Sequence, residues 1–322
     1  MSLKIIESSG FATIQDSGRK GWKRFGVPAS GPMDAFAFHA ANKLAGNSVD
    51  CAVIEMGLGD VIFQALQDCV IAVTGVGYSL SIYAWDFPLW SSFFVRAGWQ
   101  IRLNKIESGM WAYLAVAGGV QTPPILDSRS TNLRGHFGGL DGRMLQAGDL
   151  LRTIHYGSYH EFVPRSLSVE AHPLYNDHPI LHVILGPQIK NFTEESIATF
   201  MSQQYMVSTT SDRMGYRLKG PALTLRNTKE LVSEGMTFGS IQVPASGQPI
   251  VMMADCPTTG GYSKIGNVIS ADLPLLAQCI PNKSRIRFQK TTVAKAQKKY
   301  REQMSRLDKN ILQLEENEAW FI

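Results

Sequence analysis

The chain has 322 residues, of which 44% are apolar and 18% charged, with a formal net charge of +4. This length exceeds one ordinary core and points to two domains, residues 1–165 and 166–322, and the apolar content excludes a disordered chain. Lys and Arg are enriched mainly after Lys290, which leaves no basic face for nucleic acid. No apolar run is long enough to span a bilayer and no signal-peptide core is present, so a cytoplasmic protein is expected.

Residues 3–14 alternate weakly, as an edge strand does, and Asp16-Ser17-Gly18-Arg19 follows as a turn. From Gly18 to Pro32 the chain is rich in Gly and Pro, with Arg19, Lys20, Lys23 and Arg24 spaced through it. That pattern fits an anion-facing loop or a solvated connection. Met33 to Leu44 carries apolar residues at helical spacing, with Asp34 suited to the helix dipole and Gly46-Asn47 as a stop. Strands are expected at 53–56, 60–64, 70–74, 78–83, 100–103 and 111–117, as in a sandwich or barrel. Asp127-Ser128-Arg129-Ser130-Thr131, a Gly-rich loop to Gly142, and a turn at 145–149 lead to a last strand.

The polar stretch from His155 to His178, with Pro164 and Pro173, reads as a linker. His155, His160, His172, His178 and His182 lie at or near it. Their spacing fits no ligand motif, so no metal is expected. Beyond it come a strand at 180–185 and a helix capped by Thr193 with Glu194-Glu195 in its first turn. Strands are expected at 204–208, 223–225, 239–243, 249–254 and 284–288, and a short helix at 273–279. Val293, Ala296, Tyr300, Met304, Leu307, Ile311 and Leu314 recur in steps of three and four, giving an amphipathic terminal helix over 292–318.

Cys51, Cys69, Cys256 and Cys279 are widely spaced and form no CxxC pair, which suits buried thiols rather than zinc ligands. The chain has no P-loop, no dinucleotide fingerprint, no Gly-x-Ser-x-Gly elbow and no Met-Lys biotin-attachment site. Its densest chemistry runs from Ser211 to Tyr262. The apolar run Pro249–Ala254 suits a buried strand that delivers Asp255 to its exposed end, where Thr258, Thr259, Gly260 and Gly261 turn away. A carboxylate, hydroxyls and exposed backbone N–H groups can hold a small polar ligand, and the same residues also fit a tight polar turn. Arg213 and Arg217 suit a phosphate or carboxylate bidentately, or pair with Asp212 and Glu234 as scaffolding.

Thr13–Arg19, Gly26–Asp34, Ala41-Asn42 with Gly46-Asn47, Tyr113–Gly119, Ser128–Thr131, Ser211–Leu218 and Asp255–Tyr262 resemble, in that order, one family. It is the family of biotin-dependent carboxyltransferase subunits, which includes allophanate hydrolase subunit 2, the C subunit of 5-oxoprolinase, and the antagonist of a sporulation-kinase inhibitor. The resemblance implies a mainly β fold with some helix: two cyclophilin-like β-barrel subdomains followed by the terminal helix. A free-standing chain of this length is most similar to the 5-oxoprolinase member. That implies ATP-dependent opening of 5-oxoproline to glutamate in a complex with subunits A and B, where the B component is the allophanate hydrolase subunit 1-like partner. The alternatives within the family are the carboxyltransferase component of a urea carboxylase or allophanate hydrolase system, with biotin, and a non-catalytic antagonist of a kinase inhibitor. Asp255, Arg213 and Asp212 are the implied catalytic residues. Arg217, Gln242, Thr258, Thr259, Gly260, Gly261 and Tyr262 are the implied substrate-binding residues. Pro257 departs from the family's usual Gln and removes one amide from that loop.

Overall fold

The middle strands of this protein are buried on both faces, and that is why they read as continuous apolar runs instead of alternating patterns. The computed structural model describes residues 3–154, 162–226 and 231–314. They divide into two compact units: Met1–Arg19, Ser30–His172 and Ser305–Ile322 form the first, and Lys20–Ala29 with Pro173–Met304 the second.

The first unit contains, in chain order, β1 (Leu3–Ser8), β2 (Phe11–Gln15), α1 (Ala35–Leu44), β3 (Val53–Gly57), β4 (Val61–Ala65), β5 (Cys69–Gly75), β6 (Tyr78–Ile82), β7 (Trp85–Phe87), β8 (Ser91–Val95), β9 (Gln100–Lys105), β10 (Trp111–Val116), β11 (Val120–Gln121), β12 (Leu150–Thr153) and β13 (Arg165–Leu167). Two seven-stranded sheets result, in the orders β11-β12-β1-β4-β9-β6-β7 and β2-β3-β10-β5-β8-β13, the second completed by a C-terminal strand. One apolar cluster fills the space between them, drawing Ile5, Phe63, Leu80 and Leu103 from one sheet and Ile14, Ile54, Ile71 and Leu114 from the other. The helix α1 packs on β5 and β10, so every residue of β10 is buried. Asp34 is the N-cap of α1, its carboxylate accepting from Ala37 N at 3.0 Å.

The second unit contains β14 (Ile180–Leu185), α2 (Glu194–Ser202), β15 (Tyr205–Val207), β16 (Gly215–Lys219), β17 (Glu234–Gly235), β18 (Ser240–Val243), β19 (Ile250–Met252), β20 (Thr259–Gly260), β21 (Ser263–Val268), α3 (Leu273–Ala277) and β22 (Arg285–Lys290). Seven of these strands close a barrel in the order β14-β21-β18-β19-β16-β15-β22. The β14–β22 pair alone among its ladders is parallel. Phe200 of α2 stacks on Phe288 of β22, centroids 4.4 Å apart, and closes the barrel interior beside Tyr205. Thr193 caps α2 by accepting from Ser196 N at 3.1 Å. The chain then forms α4 (Val293–Lys309) and β23 (Ile311–Gln313), the strand that completes the first unit's second sheet by pairing with β13.

Several expectations change. The strands β7 and β8 have no counterpart among the expected elements. The segment read as linker contains β13, which pairs with β8 through Ser166 and Ser91 and with β23. Residues 223–225 form only an isolated bridge, Leu225 with Phe192. The terminal helix stops at Lys309 rather than 318, because Ile311–Gln313 becomes a strand. His155 and His160 lie outside the described residues. Of the other histidines, His172 stacks on Trp90 at 4.7 Å, and His182 hydrogen-bonds Asp272 through Nδ1 at 2.8 Å. No group of three metal-ligating side chains occurs among the described residues. No helix among them is long and apolar enough to cross a membrane.

All four cysteines are free thiols, and Cys51 alone is not fully buried. Burial pushes the thiols of Cys69 and Cys279 up to about 12. Ellman's reagent at pH 8 is therefore expected to label at most Cys51 in the native protein and all four thiols after denaturation. Rapid native labelling at a second site would contradict this packing.

Candidate active site

Two neighbouring strands bring the first pair of predicted residues together. In the antiparallel β16–β19 ladder Gly215 lies opposite Met252. Residues just before β16 and just after β19 therefore emerge at the same end of the barrel. There Asp255 N donates to the Arg213 carbonyl at 2.8 Å and Met253 N to the Met214 carbonyl at 3.1 Å. The side chains close side-on: Arg213 Nε donates to Asp255 Oδ2 at 2.7 Å and Nη2 to Oδ1 at 3.3 Å. Both residues are only 6% exposed. Asp255, expected at an exposed strand end, is thus buried in an ion pair with Arg213.

Asp212 is exposed. Its Oδ1 accepts from Met214 N at 2.9 Å and Gly215 N at 3.1 Å, an Asx turn that launches β16. Arg217 lies on β16 with its side chain exposed. Thr258 accepts at its carbonyl from Met236 N at 2.9 Å. Beyond it, β20 pairs with β17, Gly260 opposite Glu234 and Thr259 opposite Gly235. Tyr262 is 54% exposed. Ser263, which follows it, lies opposite Val243, whereas Ser240 marks the Asp255 end of β18. The loop 256–262 therefore runs the length of β18, from one end of the barrel to the other.

This path divides the predicted residues into two groups rather than one hollow. At the far end Gln242 is nearly buried, and its Nε2 donates to the Tyr262 carbonyl at 3.3 Å. Its Oε1 has no partner among the described residues. Gly260 lies directly over that amide: a Cβ there would sit 2.4 Å from Gln242 Nε2. Gly261 is less confined, its nearest neighbour on such a Cβ being the Leu231 carbonyl at 3.3 Å. Gly260→Ala is expected to rotate the Gln242 amide aside with little loss of stability, since the obstructing atom ends a flexible side chain. Thermal unfolding should stay close to wild type while the activity proposed below falls. A large stability loss would show that the loop itself had moved.

Sequence reading named Glu234 only as a possible partner of Arg213 or Arg217, and missed Lys264 and Gln188 in this group. Glu234 Oε2 accepts from Lys264 Nζ at 2.9 Å and from Gln188 Nε2 at 2.8 Å. Lys264 Nζ also reaches the Gly235 carbonyl at 3.2 Å, and Lys264 lies opposite Gln242 in the ladder. The Lys264 and Gln188 hydrogen bonds hold the Glu234 carboxyl below the usual glutamate range, so the contact persists above that range and is lost as pH falls through the lowered value. The three lie far apart in the chain, and no local spacing signals them.

At the near end Met236, Met252 and Cys256 form a small apolar cluster. Burial pushes the Cys256 thiol up, and the Asp255 charge adds to this while Lys23 opposes it. Buried at 1% exposure, Cys256 packs as an apolar member of that cluster. Lys23, from the segment Lys20–Ala29 that belongs to this unit, donates from Nζ to the Met236 carbonyl at 3.3 Å. A separate cavity of about 230 Å³ lies between the β14–β21 face and α4, lined by Ile184, Val268, Val293 and Tyr300 among others, and contains none of the predicted site residues.

The first-unit motifs have a different role. Asp16 accepts from Gly18 N at 2.9 Å, Ser128 Oγ at 2.6 Å, Ser130 Oγ at 2.7 Å and Arg129 N at 2.5 Å. Gln15 bridges Thr13 Oγ1 and the Thr131 carbonyl and accepts from Gly31 N. Arg19 donates to the Ile125 and Ser130 carbonyls and lies over the Phe137 ring. Gln15, Asp16 and Arg19 are all buried. They tie the N-terminal turn to the 128–131 segment and the Gly-rich loop.

The family model for the carboxyltransferase domain, subdomain A and B, matches residues 25–290. The chain is 38% identical to the C subunit of 5-oxoprolinase from Haemophilus influenzae, covering 95% of this chain and 96% of that one. It is 36% identical to the corresponding 5-oxoprolinase chain of Escherichia coli, covering 94% and 95%. The crystal structure of the urea amidolyase of Kluyveromyces lactis superposes with a TM-score of 0.89 at 27% identity, over 98% of this chain and 20% of that one. With the matched region spanning both units and the relatives aligned nearly end to end, this chain belongs to the family of carboxyltransferase domains made of subdomains A and B.

Proposed function

We propose that this protein is the C subunit of an ATP-dependent 5-oxoprolinase, and that it opens 5-oxoproline to glutamate only when assembled with subunits A and B. One observation carries the reading: the two relatives that bear the name of this 5-oxoprolinase component match over nearly their whole length as well as that of this chain. The chain carries no P-loop, so nucleotide turnover is assigned to the assembled complex.

The chemistry fits the groups present. A lactam is resonance-stabilised, and phosphorylation of its oxygen by ATP makes the ring carbon electrophilic; water adds there, the ring C–N bond breaks as the nitrogen takes a proton to leave the acyl phosphate of glutamate, and a second water releases phosphate. Around such a substrate, Asp255 fixes the plane of the Arg213 guanidinium and thereby orients a bidentate anion-binding group. The exposed Asp212 carboxylate is placed to take a proton. At the other end of the loop, the Oε1 of Gln242, without a partner among the described residues, offers an acceptor to a second reactant rather than to the lactam ring. Thr258, Thr259, Tyr262 and the peptide groups of Gly260 and Gly261 supply donors to substrate oxygens, and Arg217 adds positive charge at the exposed edge.

The test is reconstitution with subunits A and B and an assay of 5-oxoproline-dependent ATP hydrolysis. Turnover is expected only with this chain present; equal turnover without it removes the assignment. The alternative is carboxyl transfer in a urea carboxylase system, favoured by the superposition on urea amidolyase. In that case carboxybiotin would be presented by another segment, because this chain has no Met-Lys attachment site. Free biotin binding measured by calorimetry, with no response to 5-oxoproline, would select it.

A further inference from the structure

Lys23 is an unusual lysine for its position. It is half-buried, and its only polar contact among the described residues is one hydrogen bond, from Nζ to the Met236 carbonyl at 3.3 Å. No carboxylate among the described residues lies within ion-pair distance of it. An ammonium carries three donors, so two remain unused. Half-burying an ammonium without a counter-charge is costly unless something else satisfies it. The other comparably buried lysines of the unit are satisfied: Lys264 has Glu234 and the Gly235 carbonyl, and Lys299 has Asp272.

Its location gives the missing partner a chemistry. The Met236 carbonyl it holds belongs to the residue whose N–H binds the Thr258 carbonyl, and Met236 packs against Cys256. Lys23 is therefore stitched to the loop that begins with Asp255. Burial raises the Cys256 thiol, and the nearby Lys23 charge opposes that rise. Lys23 thus adds a positive charge beside the turn that carries the Arg213–Asp255 pair. We propose that Lys23 is an anion-binding residue of this site and, on the reading above, grips the carboxylate of 5-oxoproline. The Lys20–Ala29 segment then serves the second unit as an anion-facing loop, with Arg24 and Lys20 as its exposed flank.

The experiment uses the assembled complex with wild type, Lys23→Met and Lys23→Arg. Lys23→Met is expected to raise KM for 5-oxoproline about tenfold or more, as loss of one charge-assisted hydrogen bond does. Lys23→Arg should restore most of it. Turnover of 2-pyrrolidinone, the same lactam without a carboxylate, should not change between variants. An unchanged KM for 5-oxoproline, or an equal loss with both lactams, overturns the proposal. Calorimetric titration of the isolated chain with inorganic phosphate separates the two levels of inference. Weaker phosphate binding by Lys23→Met supports the anion site even if the complex fails to use 5-oxoproline, in which case only the substrate reading falls. Equal phosphate binding by both proteins overturns the anion site whatever the substrate.

Discussion

Replacing Arg213 by alanine is expected to destabilise the protein by about 3–5 kcal/mol, the usual consequence of leaving one partner of a buried ion pair alone. The side chains of Arg213 and Asp255 are 6% and 9% exposed, so solvent screening does not reduce the effect as it would at a surface pair. The register of β16 and β19 places the Asp255 carboxylate there whether or not the guanidinium is present, and its negative charge would be stranded. Urea denaturation should show a lower midpoint with an unchanged slope. The double replacement Arg213→Met with Asp255→Leu removes both charges and should recover much of the stability, while the reconstituted complex remains inactive. That combination separates scaffold from site. A stable double variant with wild-type turnover would leave the pair with a structural role alone.

Asp16→Ala should produce a loss of similar size, about 3 kcal/mol or more, in the first unit. The carboxylate satisfies two backbone N–H groups and two hydroxyls in a buried place, and stranding buried donors costs about 1–3 kcal/mol for each one left without a partner. Asp16→Asn keeps the shape but offers one acceptor oxygen where the native residue has two, so it should fall between alanine and wild type. Because Asp16 lies in the first unit and faces its own turn, phosphate binding by the isolated chain at about 20 °C should survive both changes, provided the protein remains folded. Loss of binding in a folded Asp16→Asn variant would contradict the structural role.

Much of the fold is legible where the chain is locally consistent. The helix α1 and the strands β3 to β6 show in the sequence because each is an unbroken apolar or amphipathic run closed by turn residues. The strand β8 is hidden because it starts with Ser91-Ser92, residue types common in turns. In the fold both serines are buried, and Ser92 Oγ accepts from Arg165 N at 2.9 Å. The strand β13 is hidden for the complementary reason: three residues in a proline-flanked polar stretch acquire strand geometry only from neighbours distant in sequence. At the site, residue types are visible but partners are not. Asp255 and Arg213 both stand out by type, yet their pairing depends on the β16–β19 register. Lys264 and Gln188 carry no local signal at all, since each matters through a residue far away in the chain, and Lys23 shows only as one of four basic residues spaced through the Gly- and Pro-rich loop.

The backbone enters the second unit for ten residues at Lys20–Ala29, returns, and leaves it again after Met304. Neither unit is therefore a continuous stretch that a single cut could release whole. A fragment ending before Ser305 would lack β23 and leave β13 as an open edge, and one beginning at Pro173 would lack Lys23. During synthesis the first unit stays unfinished until its last strand emerges from the ribosome, so deleting residues 311–322 should harm the N-terminal half.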